Sequence, residues 1–355
     1  MPRATTVYID LSAIGDNIAE LKSSLGDSRF MAVVKADAYG HGAATVAQYI
    51  EGMVDAFAVG FTEEALELRA AGVGKPILIL EGPHSAADVE LATKEDLWLA
   101  LHNLSQVEWC LRYGSALSHI WIKIDTGMHR LGFSPAQLPV VRQSLLDAGC
   151  SNLTLMSHLA AAELPESPLS KRQLNQWREI VADWPNGISL CNSAASRLGL
   201  AAKDNWARLG YAMYGGLIKN MASNSALKPA MHFRTAVLAI RQIAAGESVG
   251  YGGHWTAQRD SVIATLPVGY GDGYPWSARN GTPIEINGRM APLVGRVSMD
   301  MLTIDVTDCG AVEIGTPAVL WGQNPGIDEV ADACGTIGYE LMTRMTGRAP
   351  RCYDI

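Results

Sequence analysis

Residues 30–42 read FMAVVKADAYGHG, an apolar run that ends in a lysine and continues into small residues, a tyrosine and glycines. A strand that is apolar at every position is typical of a parallel sheet covered on both faces. Similar runs recur through the first two-thirds of the chain with helical patterns between them: FMAVV, AFAVG, PILIL, LWLAL, HIWIKI, LTLM, SLCNS and ARLGYAMYG. These eight strand–helix units predict a (β/α)8 TIM barrel.

The alternative for this region is a doubly wound α/β fold. No Gly-x-Gly-x-x-Gly follows the first predicted strand, which weakens a dinucleotide-binding interpretation of such a fold. Among the helical patterns, TEEALELRAAG carries Thr62 as the expected N-cap, two glutamates in its first turn, and Gly72 as its stop.

The pattern changes beyond about residue 226, where short alternating runs are separated by turn signals. Asn287-Gly288, inside PIEINGRMAPLVG, predicts a type I′ hairpin. The fold class is therefore α/β, a TIM barrel over residues 10–225 followed by a mostly-β C-terminal domain over residues 226–355. Residues 1–9 are strand-like and are expected to pair with the second domain.

Composition limits the kinds of partner. The chain has 355 residues, enough for two domains, and its formal net charge of −8 disfavours a nucleic-acid or anionic-membrane surface. No signal-peptide core or membrane span is present in the sequence. The six cysteines lie far apart without a CxxC pair, so we expect neither a disulfide framework nor a metal site, and a reducing cytoplasm fits best.

Chemically distinctive residues follow the predicted strands. The carboxyl ends of barrel strands are where this fold holds its active sites, and loops after the last two strands commonly bind phosphate. Each residue alone also has an ordinary explanation, such as a surface charge, a core histidine or a helix cap. The set at this predicted rim is Lys35, Lys123, Asp125, Arg130, His158, Asn192, Ser193, Arg208 and Gly210.

A lysine beside a phosphate-binding loop indicates two chemistries. One is a Schiff base with a sugar-phosphate carbonyl, as in an aldolase, and the other is an internal aldimine with pyridoxal 5′-phosphate. Because aldolases need only a barrel, the appended β domain favours the cofactor.

VVKADAYGHG resembles the cofactor-lysine motif of the alanine racemases, pyridoxal-phosphate enzymes built from a barrel and a β domain. The resemblance covers nearly the whole chain, with further motifs in the same order: KIDTGMHRLG, MSHLAAAE, CNSAAS, ARLGYAMYG, VGYGG, GYGDGYP, VGRVSMDM and IGYE. It implies a racemase that interconverts L- and D-alanine through an external aldimine with two bases. It also implies a homodimer whose active sites are shared between subunits.

The resemblance assigns the cofactor contacts residue by residue. Lys35 would carry pyridoxal phosphate, Arg208 would face the pyridine nitrogen, and Arg130 would lie near the phenolic oxygen and the substrate. The lysine that matches Lys123 is often carbamylated in the family. The remaining expected cofactor contacts, mostly to the phosphate, are Tyr39, His158, Asn192, Ser193, Gly210, Tyr211 and Tyr339.

Racemisation needs a base on each face of a planar intermediate. By resemblance Lys35 serves one face, and Tyr251 of a second subunit serves the other. A phenol with an ordinary pKa near 10 is a poor base unless positive charge favours the phenolate. By the same resemblance His158, linked to Arg208, is the residue expected to favour the phenolate form of Tyr251.

The resemblance also places the substrate. The Met299 backbone N–H, with Asp300 beside it, would bind the carboxylate, and Tyr339 would narrow the pocket. Glu163, Tyr270 and Arg296 are the expected entrance residues. Three positions differ from the commonest family pattern: Leu209, Tyr211 and Trp276.

Several functions remain open from the sequence. The first is an alanine racemase that supplies D-alanine for peptidoglycan or serves alanine catabolism. The second is a racemase of broader specificity, acting on serine or basic amino acids. A non-catalytic pyridoxal-phosphate carrier would lack the β domain and Tyr251, and Arg208 argues against a decarboxylase.

Overall fold

The apolar runs form strands, and the segments between them form helices. The structure, a computed structural model, describes residues 3–197, 199, 204–217 and 226–354. The predicted domain boundary between residues 225 and 226 adjoins residues 218–225, which lie outside the described residues. The described strands are β1 (Thr6–Asp10), β2 (Arg29–Val33), β3 (Ala56–Val59), β4 (Ile77–Ile79), β5 (Leu97–Leu101), β6 (Ile120–Lys123), β7 (Leu153–Met156), β8 (Gly187–Ser189), β9 (Trp206–Leu209), β10 (Met231–Ala236), β11 (Ala239–Ile243), β12 (Ser248–Val249), β13 (Trp255–Thr256), β14 (Ser261–Leu266), β15 (Pro283–Ile286), β16 (Arg289–Pro292), β17 (Leu302–Asp305), β18 (Pro317–Trp321) and β19 (Arg351–Asp354).

The helical segments alternate with the first nine strands and return near the C-terminus. They are α1 (Leu11–Ser23), α2 (Lys35–Gly40), α3 (Ala43–Ile50), α4 (Thr62–Ala70), α5 (Ala86–Lys94), α6 (Leu104–Leu111), α7 (Leu138–Asp147), α8 (Pro168–Val181), α9 (Ser193–Arg197), α10 (Ile327–Cys334) and α11 (Gly338–Thr343). None of the helices in the described ranges is long and apolar enough to cross a membrane.

The chain divides into two compact units. The first contains residues 15–213 and 217–226, and the second contains residues 1–14, 214–216 and 227–355. We call them the barrel unit and the β unit.

The barrel unit contains one sheet of eight parallel strands in the order β8-β7-β6-β5-β4-β3-β2-β9. Backbone hydrogen bonds of 3.0 Å from Asn205 N to Ile188 O and from Arg208 N to Cys191 O join the two ends of this order. The sheet therefore closes, and the prediction of a TIM barrel is confirmed.

One predicted strand ends earlier in the chain than expected. SLCNS was expected to be extended, but β8 ends at Ser189. The N–H groups of Leu190 and Cys191 donate to the Asp204 carboxylate, the latter over 2.6 Å, and not to a neighbouring strand. The chain can therefore turn early and present Asn192 and Ser193 at the start of α9.

The β unit contains three sheets among its described residues. The largest has the order β16-β15-β18-β10-β1-β19, so the N-terminal strand lies between β10 and the last strand of the chain. Asn287 (φ 51°) and Gly288 (φ 70°) form the turn between β15 and β16, which confirms the predicted hairpin. The other two sheets have the orders β11-β14-β17 and β12-β13.

Aromatic side chains fill the barrel at the amino-terminal ends of its strands. The rings of Trp98, Trp121 and Trp206 have centroids 5.5 to 6.3 Å apart. The Arg29 guanidinium lies 4.3 Å from the centroid of Trp206, and His119 packs 4.4 Å from Trp98. Packing at this end of a barrel serves stability, which leaves the opposite end for function.

His119 is expected to make the barrel unit sensitive to acid. Burial, with a contribution from Arg29, lowers its pKa from 6.5 to about 4. The unfolded chain therefore binds more protons between these two values, and stability falls as pH is lowered from 6.5 toward 4. The loss from this residue should reach about 3 kcal/mol. Urea unfolding at pH 7 and pH 4.5 should show a smaller loss for His119→Gln than for wild type.

The exposed His84 provides the matched control for this measurement. His84→Gln should lose as much stability on acidification as wild type. An equal loss in wild type and His119→Gln would contradict the assignment.

Candidate active site

The predicted rim residues of the barrel unit lie where the strands end. Lys35 follows β2 by two residues, Lys123 closes β6, and His158 follows β7 by two residues. Ser193 begins α9 and Arg208 lies in β9. Because all eight strands are parallel, these residues share the carboxyl end of the barrel.

The backbone after Lys35 forms a left-handed turn. Four consecutive residues of α2 have positive φ values of 52° to 56° with ψ values of 41° to 53°: Ala36, Asp37, Ala38 and Tyr39. Left-handed geometry costs an L-residue other than glycine about 1–2 kcal/mol. Such a turn persists only where surrounding contacts enforce it.

Several contacts hold the C-terminal side of this left-handed turn. The Asp37 carboxylate accepts a hydrogen bond from Ala43 N at 2.8 Å, and Asp37 O accepts one from Gly42 N at 2.9 Å. The buried His41 ring places Nδ1 2.9 Å from Ala38 O and 3.0 Å from Tyr39 O. The turn is therefore tied to the start of α3.

Glu64 holds the beginning of the same turn. Its Oε1 accepts a hydrogen bond from Ala36 N at 2.6 Å, and its Oε2 accepts from Gly60 N at 2.7 Å and from Phe61 N at 3.2 Å. A hydrogen bond to a charged acceptor contributes about 1.5–3 kcal/mol, so the bond to Ala36 N offsets part of the backbone strain. The prediction that Thr62 caps α4 is wrong. Phe61 occupies the N-cap position, and Glu64 satisfies the amides there.

Neutral donors converge near the start of α9. Ser193 Oγ accepts 3.3 Å hydrogen bonds from Gly210 N and Ala212 N. A Cβ built on Gly210 would lie 2.7 Å from the Tyr39 hydroxyl, so that hydroxyl lies directly against the glycine. Asn192 has a different contact from Ser193, because its Oδ1 accepts from Ala195 N at 2.9 Å and caps α9.

We call Ser193, Gly210 and the Tyr39 hydroxyl the cradle. Arg208 is buried in β9, two residues before Gly210. Its guanidinium donates to Ser189 O at 2.9 Å, to the Ser189 hydroxyl, and to Ser157 O at 2.7 Å. Burial lowers the pKa of Arg208 to about 10, against the charge of Asp204, so the side chain stays protonated at neutral pH. Protein acceptors account for three of its five N–H donors.

His158 lies among the cations of the rim. Burial first, and then the charges of Arg208, Arg130, Lys123 and Lys35, lower its pKa to about 3. The imidazole is therefore neutral at physiological pH.

Lys123 is the second lysine of the site and is only 6% exposed. Burial lowers its pKa to about 8, an effect that the charge of Glu81 opposes and those of Arg208, Arg130 and Lys35 reinforce. A larger fraction of its amine is neutral at pH 7 than is usual for lysine.

The loop that carries Arg130 is organised by Asp125. One carboxylate oxygen of Asp125 accepts hydrogen bonds of 2.9 to 3.1 Å from the N–H groups of Gly127, Met128 and His129. Its other oxygen lies 2.9 Å from His129 Nδ1. Asp125 therefore shapes the loop, and Arg130 is presented with an exposed side chain.

Glu163, expected at an entrance, lies half-buried in the barrel unit. The other predicted substrate, entrance and second-base residues lie in the β unit. Tyr251 is 76% exposed, Met299 52%, Tyr270 39% and Tyr339 39%.

An ionic network supports the loop at Met299. The fully buried Asp272 carboxylate is paired with Arg3, and Arg348 bridges it to Asp300 with N···O distances of 3.4 and 2.7 Å. Burial would raise the pKa of Asp272, but the hydrogen bonds from Arg3 and Gly269 N and the charges of both arginines hold it below its usual value.

Backbone hydrogen bonds also join the two motifs that this network spans, GYGDGYP (269–275) and VSMDM (297–301). Gly271 N donates to Met299 O at 2.9 Å, and Tyr270 N donates to Ser298 O at 3.1 Å. The GYGDGYP segment thus fixes the VSMDM loop.

Known proteins share this architecture from end to end. Residues 9–217 match the family described as alanine racemase, N-terminal domain, and residues 230–353 match alanine racemase, C-terminal domain. The chain belongs to the alanine racemase family. An alanine racemase of Alteromonas mediterranea is 40% identical over 354 residues, covering 99% of each chain. A biosynthetic alanine racemase of Pseudomonas aeruginosa is 42% identical over 356 residues, also covering 99% of each.

A solved structure extends the likeness to three dimensions. The crystal structure of a biosynthetic alanine racemase from Pseudomonas aeruginosa aligns over 100% of both chains with a TM-score of 0.95 and 41% identity. The predicted membership of the alanine racemase family and the predicted fold class are confirmed.

The departures from the commonest family pattern are accommodated locally. Leu209 and Tyr211 are buried, with Tyr211 only 2% exposed, so the extra bulk of Tyr211 is packed inside the protein. Trp276 is exposed and lies under the Arg296 guanidinium, 5.0 Å from its carbon to the ring centroid.

Sequence reasoning missed four supporting carboxylates of this alanine racemase family member: Glu64, Glu81, Asp204 and Asp272. Two signals could have found some of them. Asp272 lies inside the GYGDGYP motif, and Glu64 is the third residue of a predicted helix, where a carboxylate can satisfy free amides. The partners of Glu81 and Asp204 are distant in sequence, and no local pattern indicates them.

Proposed function

We propose that the protein interconverts L-alanine and D-alanine with pyridoxal 5′-phosphate as cofactor. The observation that carries the proposal is one rim that combines a lysine, a cradle of neutral donors and a buried arginine. Full-length similarity to proteins named alanine racemase supports the same reaction.

The residues present fit this cofactor. Ser193 Oγ, the Tyr39 hydroxyl and the N–H groups of Gly210 and Ala212 are the kinds of donor that bind a phosphate dianion. A Cβ at Gly210 would fill the space against Tyr39. Tyr211, Tyr339 and Asn192 complete the proposed phosphate contacts, Asn192 through the capping of α9.

Lys35 is proposed to hold the cofactor covalently through Nζ. When bound, pyridoxal phosphate supplies an electron sink that makes the α-proton of an amino acid labile. Lys35 Nζ, freed when the amine of the substrate replaces it on the cofactor, would remove or return that proton on one face of the substrate.

Arg208 is proposed to donate a hydrogen bond to the cofactor's ring nitrogen. Because Arg208 keeps its own proton at neutral pH, it offers no acid to that nitrogen. A carboxylic acid at this position would strengthen the electron sink and favour side reactions such as transamination. Arg208 therefore supports racemisation.

Tyr251 of a second subunit is proposed to move the proton on the opposite face. A phenol that serves a reaction and is 76% exposed in its own chain is suited to completing a site on another copy. Met299, 52% exposed, and the neighbouring Asp300 would reach the substrate carboxylate in the same way. We therefore propose a homodimer with shared sites. Because His158 is neutral, its proposed effect on Tyr251 would come from hydrogen bonding and not from a positive charge of its own.

Lys123 is proposed to be carbamylated. The lowered pKa leaves more of its amine neutral, and only the neutral amine reacts with carbon dioxide. The product is an anion among the cations Arg130 and Arg208, where it can orient Arg130 toward the substrate.

Alanine is the proposed substrate, in agreement with the names of the relatives. Tyr339 is proposed to narrow the pocket, and Glu163, Tyr270 and Arg296 are proposed as entrance residues. The biosynthetic name of the Pseudomonas aeruginosa relative supports a role in supplying D-alanine for peptidoglycan. Deletion of the gene should then create a requirement for D-alanine, provided that the host has no second racemase.

The test is chiral chromatography of L-alanine, L-serine, L-lysine and L-arginine incubated with the cofactor-loaded protein. Alanine should have the largest kcat/KM. A larger value for serine or a basic amino acid would replace the proposed substrate.

Gly210→Ala is expected to weaken cofactor binding. The new methyl group would displace the Tyr39 hydroxyl from its position against residue 210, at little backbone cost because the φ of Gly210 is not in the left-handed region. Loss of one hydrogen bond to a charged group should raise the Kd for pyridoxal phosphate by about ten-fold or more. Fluorescence titration of the apo-protein measures this Kd.

Gly52→Ala is the control, because a Cβ at Gly52 has nothing within 4 Å. An unchanged Kd in Gly210→Ala would remove Tyr39 from the proposed phosphate contacts.

A further inference from the structure

The left-handed turn after Lys35 needs an external restraint at its start. Its four strained residues include no glycine, so the sequence itself does not favour this backbone hand. The described contacts of Asp37 and His41 restrain the end of the turn, on the side of α3, and Ala38 N donates to Val34 O at 2.8 Å across its start. Inside the span of that backbone bond, the position of Lys35 also depends on what holds the first turn residue, Ala36.

Glu64 is the group that holds it. The Glu64 carboxylate accepts a 2.6 Å hydrogen bond from Ala36 N with one oxygen. The other oxygen binds Gly60 N and Phe61 N, in the loop that follows β3. One half-buried side chain thus joins the loops that follow two neighbouring strands.

Lys35 packs against the same loop. Its Cβ and Cδ atoms lie 3.9 Å from the position that a Cβ on Gly60 would occupy. The base of the Lys35 side chain is thus confined between the turn that Glu64 restrains and the loop that Glu64 also binds.

We propose that Glu64 is a positioning residue that holds the left-handed turn in place and thereby directs Lys35 and Tyr39 into the site. The inference rests on the proposed role of Lys35. The alternative is that Glu64 only satisfies the free amides at the start of α4. A cap of that kind needs one carboxylate oxygen, and the second oxygen of Glu64 reaches outside the helix to Ala36.

A comparison within the chain separates the two roles. Asp88 is the equivalent third residue of α5, where its Oδ2 accepts from His84 N at 2.8 Å and Ser85 N at 2.9 Å. Asp88 therefore caps its helix as Glu64 does, and it has no described bond to the Lys35 turn. Asp88→Asn is a matched control for loss of a cap carboxylate.

Glu64→Gln and Glu64→Asp should both release the turn. In glutamine the single amide oxygen is expected to stay with the two cap amides, and aspartate is one methylene too short to reach Ala36 while retaining the cap. Hydrogen exchange of the apo-protein should be about ten-fold faster at residues 36–42 in both variants. In the cofactor-loaded protein, kcat for alanine should fall about ten-fold with KM within two-fold, because a misdirected base slows the chemical step.

The two readouts distinguish this inference from the proposed reaction. Faster exchange at residues 36–42, with slower borohydride attachment of pyridoxal phosphate to Lys35, supports the positioning role even if wild type fails to racemise alanine. Unchanged exchange and kcat in both variants would overturn the inference. An equal effect of Asp88→Asn on residues 36–42 would also overturn it, because the effect would then come from helix capping in general.

Discussion

Borohydride reduction of the cofactor-loaded protein is expected to attach pyridoxal phosphate to Lys35, and Lys35→Ala is expected to lower alanine racemisation by about 10³-fold. The loss is large because the variant would lack both the anchor of the cofactor and the base on one face of the substrate. Peptide mapping by mass spectrometry identifies the labelled lysine, and chiral chromatography measures the residual rate.

The test is informative because the rim contains a second lysine, Lys123. The neutral amine is the nucleophile in Schiff-base formation, and the pKa of about 8 makes Lys123 a chemically competent amine in the same rim. Lys123 is nearly fully buried, however, whereas Lys35 is half-buried and lies in the same short helix, α2, as Tyr39, whose hydroxyl is against Gly210. Access, and a place on the same turn as Tyr39, therefore favour Lys35 over Lys123.

The exposed Lys94 serves as control, because Lys94→Ala should leave labelling and rate unchanged. A label on Lys123 in wild type, or a Lys35→Ala variant that keeps more than a tenth of the activity, would refute the assignment of Lys35.

The barrel could be predicted from sequence because its strands are buried on both faces. Such strands are continuous apolar runs, and eight of them in succession with helices between suit a barrel better than an open, doubly wound sheet. The hairpin at Asn287-Gly288 was equally accessible, because positive φ at two adjacent positions strongly favours this pair of residues.

The hand of the turn after Lys35 could not be predicted. Alanine and tyrosine disfavour positive φ, and one aspartate among them does not predict four such residues in a row. The turn is held by Glu64, Asp37 and His41 and by the backbone bond from Ala38 N to Val34 O. The early end of β8 has a similar origin, since Asp204, which follows it by 15 residues, takes the amides that would have extended the strand. Restraints supplied by residues distant in sequence leave no periodic signal.

The rim residues were predictable as a set but not in their electrostatics. Strand ends locate Lys35, Lys123, His158 and Arg208 at one end of the barrel. The size of each pKa change depends on burial and on how closely the cations approach one another. Sequence position gives neither quantity, so a lysine with a pKa of about 8 and a histidine with a pKa of about 3 emerge only from the fold.

Mixing two inactive variants is expected to restore activity if Lys35 and Tyr251 of one site come from different subunits. Lys35→Ala and Tyr251→Phe should each be nearly inactive, because each lacks the base on one face. In a two-fold symmetric dimer of one chain of each kind, one site carries both lesions and the other carries neither. Random reassortment makes about half of the dimers mixed, so activity should approach roughly one quarter of wild type.

The experiment unfolds the two variants together, refolds them, confirms the dimer by its size, and measures racemisation of alanine. The matched control refolds each variant separately and mixes them without exchange of subunits. Tyr251 is suited to this test because its side chain is 76% exposed in a single chain, so removal of the hydroxyl should leave folding unaffected. Recovery no greater than in the control, from protein shown to be dimeric, would mean that both bases lie on one chain.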